Sequence, residues 1–244
     1  MCEAADGRKP SAGADKSFLQ RLQILDGTAL KLIAMVSMVC DHVGDLFLPQ
    51  LVWLRVAGRL ALPLFAFCIA EGYCHTHDRR RYLSRLGLFA LISELPFDLA
   101  RLGRLEAGHQ NVMLTFFLAV AALWLYDAAR ARWQNKKGLL LGLAAVGIMS
   151  GLSLLLRTDY NLFAVLLVFV FYVFRHEPQW KRDLYALIYQ LLLRNKGLFA
   201  WGALSFIPLL LYNGRRGRGL KWLFYVFYPG HLLLLYLLRL ALAG

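Results

Sequence analysis

From about residue 24 to the C-terminus the chain alternates long apolar runs with short polar connections. The runs are roughly 16 to 22 residues long, the length a helix needs to cross hydrocarbon. With no water in the bilayer core, only a helix or a closed barrel satisfies its own backbone polar groups, so the runs read as helices. The pattern predicts an all-α polytopic transmembrane helical bundle with about nine spans, at 28–48, 51–74, 82–103, 110–129, 138–157, 159–175, 183–194, 197–213 and 221–242. Span 183–194 is short and reads equally as a re-entrant or tilted half-helix, so eight or ten spans also fit. Residues 1–22 mix Gly, Ala, Ser, Pro and balanced charges and are expected to form a disordered cytoplasmic tail. Residues 23–244 then make one membrane-embedded domain. The first apolar run starts late, carries internal charges and lacks a small-residue cleavage site, so it reads as a retained helix rather than a signal peptide.

Composition agrees with the pattern: 59% of the 244 residues are hydrophobic, and the mean hydropathy is +0.51. The net charge of +13 adds information only through its placement. Lys and Arg gather in the N-terminal segment and around 75–85, 130–137, 175–182 and 213–221, and are sparse on the alternate connections. That bias puts the N-terminus in the cytoplasm and the C-terminus outside, in a multi-pass protein of the cell (inner or plasma) membrane. The basic charge is therefore mostly topology, and nucleic acid is not an expected partner. The four cysteines (Cys2, Cys40, Cys68 and Cys74) have neither disulfide nor metal-site spacing. The histidines His42, His75, His77, His109 and His231 fall at different depths, so no metal site is expected.

The first span departs most from a plain apolar helix, because LDGTALKLIAMVSMVCDHVGDLFLP carries Lys31, Asp41, His42 and Asp45. A charge at such depth costs at least a few kcal/mol and usually faces a polar cavity or a substrate path. At about 100° per residue, Lys31, Met35, Met38 and His42 share one face, with Asp45 one turn on. A rise of about 1.5 Å per residue puts His42 roughly 21 Å into a core of about 30 Å, in its outer third. The same reckoning brings Arg55, Arg59, Glu94, Asp98, Asn111, Thr115, Asp159 and Tyr160 into that layer, with His231 near the midplane. Pro63 should kink the second span and open a cavity beside Arg55 and Arg59. Two arginines at i, i+4 repel unless they share a carboxylate, a substrate anion or a cofactor phosphate. Glu94 and Asp98, also i, i+4, are candidate partners, and a purely structural quartet is the competing reading. Glu71 is placed to pair with His75.

A histidine held beside carboxylates inside a bundle suits proton transfer, and the chemistry that fits is acyl transfer. His42 would take the proton of an attacking amine or hydroxyl, or carry the acyl group itself. Arg59 or Asn111 would stabilise the oxyanion. Asp41 adjoins His42 in sequence but points about 100° away, so Glu94 or Asp98 are alternative orienting partners. On the cytoplasmic side, the Gly-rich turn NGRRGRGLK at 213–221 either reflects positive-inside charge alone or grips an anionic cofactor such as a nucleotide. A solute or proton-coupled transporter is the reading from another class.

LDGTALKLIAMVSMVCDHVG, RVAGRLALPLFAFCIAEGYCHT, RYLSRLGLFALISELPFDLA, QNVMLT and DYN, followed by LLYNGRRG and FYVFYPGHLLLL, closely resemble the TraX family, in order and from about residue 25 to the C-terminus. KLIAMVSMVCDH also looks like the first-helix histidine signature of the acyltransferase-3 group. The resemblance implies a membrane acetyltransferase with acetyl-CoA as donor and, in the family's naming activity, a pilin N-terminus as acceptor. A sugar hydroxyl, a lipid headgroup or a small molecule are further acceptor classes. By the same resemblance Asp41 and His42 match the family's Asp-His pair, and Arg59 and Glu71 match its GR and EG. Glu94, Asn111 and Asp159 fall in its middle motifs, Asn213 and His231 in its last two. The expected catalytic set is His42, Asp41, Arg59, Glu94 and Asn111. The expected cofactor set is Lys31, Asn213, Arg215, Arg216, Arg218, Lys221 and His231.

Overall fold

A computed structural model describes residues 22–106, 108–219 and 221–243; the tail expected over 1–22 lies outside these residues except for its last position. The described residues are helical, with two isolated β-bridges and no strand. In chain order the helices are α1 (Gly27–Leu46), α2 (Val52–Gly58), α3 (Ala61–Cys74), α4 (Arg79–Leu102), α5 (Val112–Arg132), α6 (Lys136–Leu155), α7 (Asn161–Val173), α8 (Gln179–Leu193), α9 (Phe206–Leu210) and α10 (Lys221–Ala243). A 3₁₀ turn, Phe174–His176, follows α7, and a longer 3₁₀ segment, Gly197–Ser205, leads into α9.

Helix starts follow local chemistry. Asp26, Asp78, Asn111 and Asn135 each accept a backbone N–H of the first turn, capping α1, α4, α5 and α6. Gly103, at φ 68°, ends α4 in the left-handed conformation that lacks a Cβ penalty. The kink expected at Pro63 appears one turn upstream, as a break between α2 and α3 at Arg59–Leu60. A proline cannot donate to the carbonyl four residues back, here that of Arg59, and its ring crowds that carbonyl.

α5 sits at the centre, packed against α4, α6 and α7; α3 joins α7 to α1, and α10 lies along α4 and α1. Leu30, Leu64, Leu123, Leu167 and Val168 are completely buried at these seams. The perimeter is the reverse: Leu91 and Leu155 stand 78% exposed and Leu242 71%. Large apolar residues facing outward on long helices suit lipid rather than water. Among the described residues four helical stretches are long and apolar enough to cross a membrane: Val52–Cys74, Val112–Arg132, Lys136–Leu155 and Trp222–Leu242. Two more, Asn161–His176 and Gly197–Leu210, are apolar but shorter. α1 and α4 have the length, but their internal charges keep them out of that set.

A half-buried carboxylate ties four helices at one end of the bundle. Asp127 of α5 accepts from Tyr73 (2.9 Å) and from Tyr172, and pairs with Arg79 at 2.9 Å. The expected Glu71–His75 pair forms at 3.2 Å, with Arg182 3.8 Å from the other Glu71 oxygen.

Candidate functional site

One long helix, one short helix and a close approach between them build the centre of the site. α1 and α2 form a tight hairpin in which a Cβ on Gly58 would collide with the Asp41 side chain. The missing side chain at 58 lets α2 lie directly on Asp41. Both Asp41 carboxylate oxygens lie 2.5 Å from Arg59 Nη2. Arg55 Nη1 lies 3.4 Å from Asp41, 2.9 Å from Asp45 and 3.1 Å from the Asp41 carbonyl, to which it donates. The two arginines thus share Asp41 and Asp45, not Glu94 and Asp98. Asp41 and Arg59 are buried, at 7% and 8% exposure, where one charge without the other would be costly.

His42 turns away from this cluster toward α10. Its Nδ1 is 2.9 Å from Nε2 of His231, and His231 Nδ1 is 2.8 Å from the Phe227 carbonyl. A carbonyl only accepts, so His231 Nδ1 carries a proton, its Nε2 accepts, and His42 Nδ1 is the donor. That leaves His42 Nε2 as a lone pair with no hydrogen bond among the described residues. His231 is itself stacked on Phe227, with ring centroids 4.5 Å apart. The orienting partner of His42 is therefore His231, which the sequence reading grouped with the cofactor set.

His42, Asp41, Asp45, Arg55, Arg59, Asp159 and Tyr160 line one cavity of about 350 Å³, together with Arg101, His109 and Arg194. Burial, then Arg101 and Arg157, push the His109 imidazole below its ordinary pKa. Glu94 and Asn111 lie outside this lining. The Asn111 side-chain amide donates to the Ala90 carbonyl (2.8 Å) and to Glu94, and its oxygen caps α5. Both of its N–H groups are engaged, so Asn111 has none for an oxyanion, and the pair works as a strut between α4 and α5. Asp98 accepts from the Glu106 amide, and Thr115 donates to the Asp159 carbonyl.

A second cavity, about 160 Å³, abuts the first. Met38, Phe65, Val112, Phe116 and Tyr228 line both and form an apolar collar between them. Lys31, Arg85 and Arg216 line the second cavity and have no carboxylate partner among the described residues. Lys31 Nζ lies 5.0 Å above the Phe224 ring, and Arg85 lies between Tyr82 and Tyr225, each at 5.9 Å. Arg216 reaches this cavity from the glycine-rich connection, which is anchored on the start of α1. Gly27 N–H donates to the Arg215 carbonyl (2.8 Å), and Thr28 Oγ1 to the Arg218 carbonyl (2.8 Å). Gly217, at φ 73°, lies where a Cβ would meet the Asp26 carboxylate at 2.6 Å. Asn213 accepts from the Arg215 amide at 2.9 Å, which turns this loop; Arg215 and Arg218 are exposed. The Lys221 side chain lies outside the described residues.

Sequence reasoning missed Arg85, Arg101 and Arg194, each near a helix end where a cation reads as topology. No group of three or more potential metal ligands occurs among the described residues. At the solvent edge, the Glu71 carboxylate raises His75 to about 9, first through its side-chain hydrogen bond.

A profile of the TraX protein family matches residues 26–239. The chain is 32% identical over 234 residues to the probable fimbrial assembly protein FimC, serogroup H1, of Dichelobacter nodosus, covering 84% of this chain and 92% of that one. It is 30% identical over 155 residues to protein TraX of Escherichia coli, covering 63% of this chain and 58% of the relative. No solved structure matches. The LDGT start of α1 and the NGRRG connection, far apart in sequence, fold onto one another, and over residues 26–239 the chain belongs to the TraX family.

Proposed function

We propose that this protein is an integral-membrane acyltransferase that moves an acetyl group from acetyl-CoA to an amine or hydroxyl acceptor. The observation that carries the reading is the pair of abutting cavities. One holds three cations without carboxylate partners among the described residues, the other holds His42 with an Nε2 that none of them engages, and an apolar collar stands between. In this reading the nine spans expected from the sequence cross or enter the inner (plasma) membrane, with the N-terminus and the basic connections in the cytoplasm. The cavity of Lys31, Arg85 and Arg216 then opens to the cytoplasm, and that of His42 to the outer side.

The CoA phosphates would lie against Lys31, Arg85 and Arg216, with Arg215, Arg218 and Lys221 at the rim. From Lys31 to His42 is eleven residues of helix, about 16 Å, a distance an extended pantetheine arm covers. The thioester would pass the collar and reach His42. There the acceptor N–H or O–H gives its proton to Nε2 as its heteroatom attacks the thioester carbonyl. The C–S bond breaks, the thiolate takes the proton back from the imidazolium, and CoA leaves as the free thiol. His231 holds the imidazole in the tautomer that presents Nε2, the role an orienting group plays beside any catalytic histidine. Arg59, fixed by Asp41, lines the same cavity and would stabilise the oxyanion. Because one relative is named for fimbrial assembly, the N-terminal amine of a pilus subunit is one acceptor to try first.

The test is thermal stabilisation of the detergent-solubilised protein by acetyl-CoA, CoA and dephospho-CoA, since a ligand of the folded state raises Tm by mass action. A shift for acetyl-CoA that shrinks on Lys31→Ala, Arg85→Ala or Arg216→Ala supports the reading. No shift at millimolar ligand overturns it and turns attention to solute or proton transport.

A further inference from the structure

We propose that the acceptor carries one anionic group, a carboxylate or a phosphate ester, held between Arg101 and Arg194 while its amine or hydroxyl faces His42. This rests on the acyltransferase reading and names the acceptor class of the same cavity.

Four guanidiniums line the outer cavity, those of Arg55, Arg59, Arg101 and Arg194, against the carboxylates of Asp41, Asp45 and Asp159. Arg55 and Arg59 are matched to Asp41 and Asp45. Asp159 has His109 at 4.0 Å. Arg101 and Arg194 have no carboxylate within ion-pair distance among the described residues. Each is braced by aromatic rings instead: Arg101 lies 5.7 Å over Phe97, and Arg194 lies 4.5 Å over Phe199 and 4.8 Å over Phe163.

Arg59 lies over the same Phe199 ring, at 5.3 Å, so two like charges share one ring with a carboxylate on only one of them. Two like charges set over one ring repel one another. An arginine braced over a ring rather than paired with a carboxylate keeps N–H donors for a carboxylate or phosphate oxygen. With four guanidiniums and three carboxylates in the lining, a single monoanion balances the charge. A neutral acceptor would leave the imbalance in place.

The test uses purified protein, acetyl-CoA and acceptor pairs that differ in charge: β-alanine against β-alaninamide, and phosphoethanolamine against ethanolamine. CoA release is followed with a thiol reagent. The wild type is expected to favour the anionic member of at least one pair by tenfold or more in kcat/KM, and the two pairs tell carboxylate from phosphate. In Arg101→Gln/Arg194→Gln the ratio should fall toward one through a raised KM for the anionic member, and Arg194→Lys should restore part of it. Equal kcat/KM within both pairs, or a preference that survives the double substitution, overturns the proposal. So do anionic compounds that neither react nor slow the reaction with hydroxylamine, a small uncharged nucleophile. If hydroxylamine itself releases no CoA from acetyl-CoA, the acyltransferase reading fails and takes this proposal with it.

Discussion

His42 donates from Nδ1 to Nε2 of His231, 189 positions away in sequence, across 2.9 Å. The Phe227 carbonyl behind His231 gives this chain of contacts one direction, because it accepts and never donates. An added proton on His42 Nε2 keeps every one of these hydrogen bonds. The pair is thus built to hold or release a proton at one defined atom without rearranging.

His42→Ala should insert and fold but lose acetyl transfer by two to four orders of magnitude, the range expected for a general base. The check is CoA release at saturating acetyl-CoA, alongside melting temperature. Near wild-type turnover would remove His42 from the mechanism.

His231→Leu removes the acceptor of the His42 Nδ1 proton while keeping apolar volume. Tautomer control is lost, so kcat should fall about tenfold or more, with the acetyl-CoA KM little changed and the pH–rate profile displaced. A KM effect alone would assign His231 to cofactor binding instead.

Asp41→Asn leaves the buried Arg59 guanidinium without its carboxylate. Breaking a buried pair costs about 3–5 kcal/mol, so melting temperature and yield in detergent should drop sharply. Asp45→Asn, at the exposed end of the same cluster, should cost far less, about 1 kcal/mol or below. Similar losses from both would contradict the burial difference.

Gly217→Ala forces a Cβ into a left-handed position against Asp26 and Thr28. The connection that carries Arg216 should lift from the start of α1 and weaken stabilisation by acetyl-CoA several-fold, as measured by the ligand-induced Tm shift. Retention of the full shift would separate this loop from the cofactor.

The Glu71–His75 pair sets a pH dependence. His75 is raised to about 9 from 6.5, so its contribution to stability is fully present below about 6.5 and is lost as pH rises through about 9. The side chain is 53% exposed, so screening keeps the effect below about 1 kcal/mol. The Tm deficit of His75→Ala should be largest near pH 6 and close by pH 10. A deficit constant with pH would mean the histidine acts by packing.

What the chain determined alone was everything that travels along one helix. Run length placed the helical segments to within a few residues. The 1.5 Å rise put Asp41, His42, Arg59 and Asp159 at one level, which is why they meet in one cavity. Pro63 announced the break that appears at Arg59–Leu60. Which partner each polar group takes depends on how far each helix is rotated about its own axis, and packing alone sets that. Glu94 and Asp98 looked eligible to orient His42 and His231 did not, yet the turn of α4 gives Glu94 to Asn111, while α10 lays His231 on His42. The same rotation decided that Asn111 braces two helices rather than facing the cavity. It also brought Arg101 and Arg194, unremarkable at their helix ends, to face a shared space. Rise and period are local properties that survive in any fold, whereas pairing between helices exists only once α1, α4 and α10 have packed together.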